Sequence, residues 1–398
     1  MNDQTSSSSV PENRFEYLDG LRGFASVAVC LWHNFLAFFP GAVTPNVPMH
    51  SRLLENTLYR SPFAVFFAGD FSVFIFFAIS GFVISIKHFR SDDLDGLKRS
   101  FLKRYVRLMP PAFVTIFLAY LLLSFGLMSN QTAGGMVHSW WLKANWSNVD
   151  VSFKHVLWSG LYGMWFQIPT PQSAFNSNLG TLAIELLGSF VIYITLIIMK
   201  NFKLSFQDRC VVYIGLVGFT ALITVNDPNY VVFFTGMFLA DLFVNCPRAF
   251  RISTGLSSLV LALGVFFGAM NTSNLIYFYY QPIARFLNFL NLGPLVYPWA
   301  VGALLVMYGV LTNPFMQKIL SSNVARLFGK YSYALYVTHT VFLGSVTCGV
   351  FVALSNFLDC DFRVIIALTF FGTLPFLLLV TYLVQLVDAK ALRVSHLF

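Results

Sequence analysis

The segment Phe63-Ala-Val-Phe-Phe-Ala-Gly-Asp70-Phe-Ser-Val-Phe-Ile-Phe-Phe-Ala-Ile-Ser80-Gly-Phe-Val-Ile-Ser-Ile86 runs for 24 residues with one ionisable side chain, Asp70. As a helix it would be about 36 Å long, more than the ~30 Å of hydrocarbon in a bilayer. Nine more apolar runs read the same way: Phe24 to Phe39, Met109 to Met128, Leu179 to Met199, Val211 to Val225, Val231 to Asn245, Ile252 to Met270, Val296 to Thr312, Tyr331 to Leu354 and Val364 to Val387. The runs from Val211 and Val231 are short and only Asn226-Asp-Pro-Asn-Tyr230 separates them. The expectation is an all-α fold, a polytopic transmembrane helical bundle of about ten spans. An even number puts both termini on one side.

Composition agrees. Of 398 residues, 57% are hydrophobic and only 11% charged, against about 25% charged in a soluble chain. So few charges cannot cover a water-facing surface, which excludes a soluble enzyme. The 45 Phe and 17 Tyr exclude fibrous and broadly disordered classes. The net charge of +8 would suggest nucleic acid for a soluble chain; in a membrane the placement of the charges matters more, and no nucleic-acid partner is expected. The five Cys are scattered without zinc spacing, so neither a metal nor a disulfide framework is expected. Residues 1–14 are polar and serine-rich and read as a short disordered tail, leaving 15–398 as the membrane domain.

Loop charge sets the orientation. The loops on the N-terminal side hold 19 Lys and Arg, among them seven between Lys87 and Arg107, and the opposite loops hold six. This places both termini in the cytoplasm. Three Asn-x-Ser/Thr triplets, at Asn130, Asn145 and Asn271, all fall on the outer face. The longest outer loop, Ser129 to Asn178, carries Trp140, Trp141, Trp146, Trp158 and Trp165. Its favoured reading is an interfacial aromatic belt; the alternative is a stacking platform for a carbohydrate acceptor.

Ionisable residues at membrane depth are functional candidates by default. Arg22 and His33 are eleven residues apart, about three full turns, so they share a helix face ~16 Å apart along the axis. That suits a substrate whose anionic end stays at the surface while its reactive end enters the membrane. Glu185 lies ~9 Å from the outer end of its span and His339 ~12 Å from the inner end of its own. Ser332, Tyr336 and His339 form a second polar stripe. Interhelical hydrogen bonding is the plain alternative; function is preferred for Glu185, and His339 is balanced between the two. Asp70 and Asp241 sit near span ends, where water reaches them, and rank lower. Arg104 and Arg107, one turn apart ahead of Pro110-Pro111, present two guanidiniums on one face, able to grip one phosphate cluster.

These residues resemble a family. Tyr17-Leu-Asp-Gly-Leu-Arg22-Gly-Phe-Ala25 followed by His33, Phe76-Phe-Ala-Ile-Ser80-Gly-Phe82, Arg104-Tyr-Val-Arg107-Leu-Met-Pro110, Leu179-Gly-Thr-Leu-Ala-Ile-Glu185 and Gly329-Lys-Tyr-Ser332-Tyr-Ala-Leu-Tyr336-Val-Thr-His339 resemble, in order, the motifs of the acyltransferase-3 family of integral-membrane O-acyltransferases. Two positions depart from the pattern: Phe74 stands where an acidic residue is frequent, and Gly180 where a Trp is common. An extracytoplasmic hydrolase-like domain often fused to the family is not expected, so onward transfer would need a separate extracytoplasmic partner.

The resemblance implies transfer of an acyl group, usually acetyl, from cytoplasmic acetyl-CoA to a hydroxyl of a carbohydrate or lipid-linked glycan. It implies Arg22, Arg104 and Arg107 as holders of the CoA phosphates, with Ser80 and Tyr336 beside them. His33 would act as general base or acyl carrier, Glu185 would orient its imidazole, and His339 completes the catalytic set. Membrane lipid surrounds the site, and a bacterial inner membrane is preferred to a eukaryotic endomembrane. The rival reading is a proton-coupled secondary transporter or flippase, against which no inverted repeat is found.

Overall fold

The computed structural model describes residues 15–44, 47–90, 93–167, 170–223, 229–293 and 295–395; the polar tail, residues 1–14, lies outside them. Every regular element among the described residues is helical. In an apolar solvent each backbone N–H and C=O must find its partner within its own segment, and helices do this. The main helices are α1 (Glu16–Phe38), α2 (Gly69–Arg90), α3 (Leu94–Ser124), α4 (Gly180–Asn201), α5 (Phe206–Ile223), α6 (Asn229–Asn245), α7 (Thr254–Gly268), α8 (Val296–Thr312), α9 (Asn323–Phe342) and α10 (Phe362–Ser395).

Six are long and apolar enough to cross a membrane: α1, α2, α3, α4, α9 with its continuation to Phe357, and α10. A seventh is added if α8 and Pro314–Leu320, bent by 97° at their junction, count as one. Helices α6 and α7, with 17 and 15 residues, fall short of the ~20 that a crossing needs. The run expected to end at Val225 passes into residues outside those described. Ten crossings are therefore met as six or seven helices of full length, with shorter apolar helices among them.

One expectation changes character. The basic stretch before Pro110-Pro111 reads as a loop, but residues from Leu94 to Ser124 form a single helix with both prolines inside. Asp93 starts it, its Oδ1 accepting the Gly96 amide at 2.7 Å; that bond holds the Asp93 carboxyl below the usual range. Beside the prolines, which lack amide donors, the Leu108 carbonyl accepts Tyr333 Oη from α9 at 2.6 Å. Arg104 and Arg107 thus project from a rigid helix.

The segments around residues 40–68, 129–178 and 270–295 gather at one end of the bundle, here the aromatic end. Asn271 Nδ2 donates to the Tyr59 carbonyl at 2.9 Å, and Ser139 Oγ donates to Leu36 at the end of α1 at 2.9 Å. The three Asn-x-Ser/Thr triplets are pins of this end and not accessible acceptors: Asn130, Asn145 and Asn271 are buried. Their amide nitrogens donate to Leu142, Trp141 and Tyr59 carbonyls, respectively. The start of α1 and the end of α2 lie at the opposite, basic end, with Arg326 reaching Glu16 at 3.3 Å.

Close crossings of glycines set the bundle's register. A β-carbon on Gly81 of α2 would lie 2.2 Å from the Phe233 carbonyl oxygen of α6, and one on Gly236 of α6 2.4 Å from that of Ala78. Helices α1 and α9 run parallel and meet in the same way: a β-carbon on Gly23 would lie 2.5 Å from the Gly329 nitrogen, and one on Gly329 2.4 Å from the Asp19 carbonyl oxygen. Without hydrophobic exclusion between helices in lipid, such small-residue contacts supply close packing. Ten residues beyond the crossing on each helix stand His33 and His339.

Gly329→Leu should force α1 and α9 apart at a backbone contact and cost about 1–3 kcal/mol. Thermal unfolding of the detergent-solubilised protein should then show a lowered midpoint; a wild-type midpoint would contradict this account of the crossing.

Candidate active site

Two cavities lie along α1. The first, about 120 Å³, is lined by Arg22, Arg104, Arg107, Glu185, Ser80 and Tyr336 among others. Arg104 Nη2 pairs with Glu185 Oε1 at 2.5 Å; Ser80 Oγ donates to the same oxygen at 3.1 Å and accepts from Arg104 at 3.4 Å. Arg22 lies 3.7 Å from Asp19. Arg107 has no ion pair among the described residues, although Asp388 of α10 is close enough to feel its charge. Three guanidiniums against one lining carboxylate leave the cavity cationic, and desolvated cations of this kind recruit anions. All the residues expected to hold the donor, Ser80 and Tyr336 included, meet here.

His33 and His339 meet elsewhere. His339 Nδ1 faces the Leu335 carbonyl oxygen at 2.9 Å. A carbonyl only accepts, so this nitrogen carries the proton of the neutral ring and Nε2 is left with its lone pair. That Nε2 lies 3.0 Å from His33 Nδ1, which also faces the Val29 carbonyl at 3.1 Å. His33 Nδ1 must then be the donor, shared between two acceptors, and His33 Nε2 keeps a free lone pair. The arrangement is a relay of two neutral imidazoles that ends on a base.

Two asparagines ahead of α4 hold the His339 helix in place. Asn176 Nδ2 donates to the Val337 carbonyl at 2.7 Å, and Asn178 Nδ2 to that of Tyr336 at 2.5 Å. Thr340 Oγ1 donates to Asn176 Oδ1 at 2.8 Å, and Tyr336 Oη meets Thr181 Oγ1 in a short hydrogen bond. The structure ties Glu185 to Arg104 and Ser80 in the arginine cavity, and the side chain that meets the His33 imidazole is that of His339. Tyr336 stands between the two groups, lining the arginine cavity with its ring 6.1 Å from that of His339.

His33 lines the second cavity, about 510 Å³, with Trp32, Trp140, Trp141, Trp299 and Asp70. Its ring packs 5.2 Å from that of Trp141. No lining residue is shared with the arginine cavity. The tryptophan-rich loop therefore does not form one interfacial belt. Trp146 and Trp165 are core residues whose indole N–H groups donate to Phe175 and Gly160 carbonyls; Trp140 and Trp141 wall the cavity, and Trp158 stays exposed.

The two lower-ranked aspartates exchange importance. Asp241, expected within reach of water, is fully buried, gripped by Arg209 at 2.7 and 2.9 Å, Tyr213 at 2.7 Å and Asn245 at 2.6 Å. It is a structural pair. Asp70 opens onto the tryptophan cavity and has no hydrogen bond or ion pair among the described residues. It lies one turn from Phe74 on the same face of α2, toward the aromatic end. Phe74 itself is buried against Trp299.

A family model described as an acyltransferase domain matches residues 15–385, nearly the whole chain. No curated protein and no solved structure matches it. The matched stretch contains every residue of both cavities and the histidine relay between them, and the motifs in it have the expected order: the chain belongs to the acyltransferase-3 family.

Proposed function

We propose that this membrane acyltransferase moves an acyl group, acetyl by family likeness, from acetyl-CoA at the basic end to a hydroxyl of a carbohydrate or lipid-linked glycan in the tryptophan cavity. The observation that carries the reading is the lone pair on His33 Nε2, defined by the hydrogen bond to His339. It belongs to a ring lining a cavity walled by four tryptophans and an unpaired carboxylate. Indole faces and a carboxylate are what stack and hydrogen-bond sugar rings.

The donor fits the other cavity. Arg22 and Arg107 meet the phosphates as planar, bidentate cations, while Glu185 and Ser80 hold the Arg104 fork in place. The arm bearing the thioester then spans the ~16 Å between the levels of Arg22 and His33, passing beside Tyr336. In the direct route His33 Nε2 takes the hydroxyl proton as the acceptor oxygen attacks the thioester carbonyl. The C–S bond breaks as the intermediate collapses, and the proton passes from His33 to the leaving thiolate. In the two-step route the same lone pair attacks the thioester carbonyl and the C–S bond breaks to leave the CoA thiolate. The acceptor hydroxyl then attacks the acyl-imidazole, the C–N bond breaks to return neutral His33, and the hydroxyl proton goes to the thiolate. The loop charges support a cytoplasmic basic end and N-terminus, and we favour a bacterial inner membrane, where onward transfer would use a separate extracytoplasmic partner. Glu185 and Asp241, two of the acids that a proton-coupled transporter could titrate, are tied to arginines, which disfavours that reading.

His33→Ala should lower CoA release from acetyl-CoA by about 10²–10⁴-fold; release at the wild-type rate would overturn the assignment. His339→Ala should lower kcat by roughly 10- to 100-fold, as expected for a lost hydrogen bond to a charged partner, with KM for acetyl-CoA unchanged. His339→Gln, whose amide oxygen can accept from His33, should recover part of the rate, and equal loss in both variants would speak against a positioning role. For Arg107→Ala the expectation is the reverse split: KM for acetyl-CoA rising about tenfold or more with little change in kcat, and an unchanged KM would remove Arg107 from the donor site.

A further inference from the structure

The tryptophan cavity contains a charge that its own walls do not balance. Asp70 is its one acid, and no Lys or Arg lines it among the described residues. The six Lys and Arg of the outer loops, Arg52, Arg60, Lys143, Lys154, Arg285 and Arg363, all stand outside that lining. Residues 45, 46, 168, 169 and 294, outside the described ones, are Pro, Asn, Ile, Pro and Pro by sequence and bring no charge. Asp70 stands in the first turn of α2, where the helix N-terminus offsets only part of a unit charge. A carboxylate held away from bulk water without a cation is costly.

The walls around it are π faces. Trp32 lies directly on the start of α2: a β-carbon on Gly69 would sit 2.1 Å from its indole Cδ1, so glycine leaves the room this ring needs beside Asp70. The same indole stacks on Tyr59, with ring centroids 5.9 Å apart and planes 13° from parallel. Burial, and after it the nearby Asp70 carboxylate, push the Tyr59 phenol up, so it stays a neutral wall. Trp299 is fixed by its indole N–H, which donates to the Met270 carbonyl at 2.8 Å. A sugar with hydroxyls alone would use the indoles and leave the carboxylate uncompensated. An ammonium answers both: indole faces attract a cation through their quadrupole, and the carboxylate completes the pair.

We propose that the tryptophan cavity is an ammonium site, and that its acceptor carries a protonated or quaternary amine on Asp70 among the indoles and a hydroxyl directed to His33 Nε2. The amine rests on the cavity alone; the hydroxyl rests on the transfer reading above. Asp70 and His33 open on the same cavity of about 510 Å³, a volume within the ~300–1,000 Å³ of small-molecule sites, so one ligand can meet both. The acceptor class is then an amino alcohol or an amino sugar, free or lipid-linked.

The test uses the purified full-length chain without donor and two pairs of probes. Choline is set against neohexyl alcohol, its uncharged isostere, and protonated glucosamine against glucose. Indole fluorescence follows binding, with the thermal midpoint as a second reading. The cation of at least one pair should bind about tenfold or more tightly than its neutral partner. A preference for choline marks an amino alcohol, and one for glucosamine an amino sugar. Asp70→Asn should bring the cation down to the level of its neutral partner. Equal or absent binding within both pairs by wild type, or a preference that survives in Asp70→Asn, would overturn the proposal; the wild-type comparison decides on its own if the variant does not fold. Acetyl-CoA is added last. A cation preference without His33-dependent CoA release would leave the ammonium site standing and remove the transfer reading. CoA release with neutral and cationic probes alike, and no binding preference, would do the opposite.

Discussion

The parallel contact of α1 and α9 is the constraint on which the site depends. Gly23 and Gly329 let the two backbones touch, and ten residues on, the same register brings His33 Nδ1 to 3.0 Å from His339 Nε2. His339 is buried, so each of its nitrogens needs a partner, and its bond to His33 assigns the protons of both rings. Two backbone carbonyls and one interhelical bond fix three of the four nitrogens, and the fourth is the lone pair that the proposed reaction uses.

Charge is partitioned along the same axis. Arginines at the basic end are bearable inside a bundle because acids or hydroxyls meet them: Glu185 and Ser80 on Arg104, Asp19 by Arg22, Asp241 on Arg209. Removing one partner of such a pair strands the other in a low dielectric, at a cost of several kcal/mol. The cavity at the aromatic end is lined by indoles, amides and the carboxylate of Asp70. An anionic donor and a hydroxylated acceptor would thus be drawn to opposite ends, with the relay of imidazoles between them.

Much of this was legible in the residues. Apolar runs mark the helices, and the eleven-residue interval from Arg22 to His33 is a property of one helix, readable from its period. What periodicity cannot reveal is which helices touch. The partnership of His33 with His339, 306 residues apart, and of Arg104 with Glu185 depends on packing, so Glu185 reads as the partner of the wrong residue. The same limit explains the buried sequon asparagines, the core tryptophans and the buried Asp241, all polar or aromatic groups whose environment is set by distant segments. Asn176 and Asn178 carry no periodic signal at all; only their placement just before the Glu185 helix could have hinted at a role. The basic stretch reads as a loop because its seven Lys and Arg set it apart from the apolar runs, whereas the helix carries on through it and past Pro110-Pro111, whose freed carbonyls a bundle can satisfy from neighbouring helices.

The central claim is that one acyl-CoA molecule spans from the arginines to the imidazole pair. A cryo-electron microscopy structure of the protein with a non-hydrolysable thioether analogue of acetyl-CoA tests it most directly. The account predicts phosphates on Arg22, Arg104 and Arg107 and the analogue's acetyl-equivalent carbonyl near His33 Nε2, at about the 3 Å reach of proton or acyl transfer. An analogue lying wholly at the basic end, with Tyr336 unmoved and His33 turned toward lipid, would contradict it.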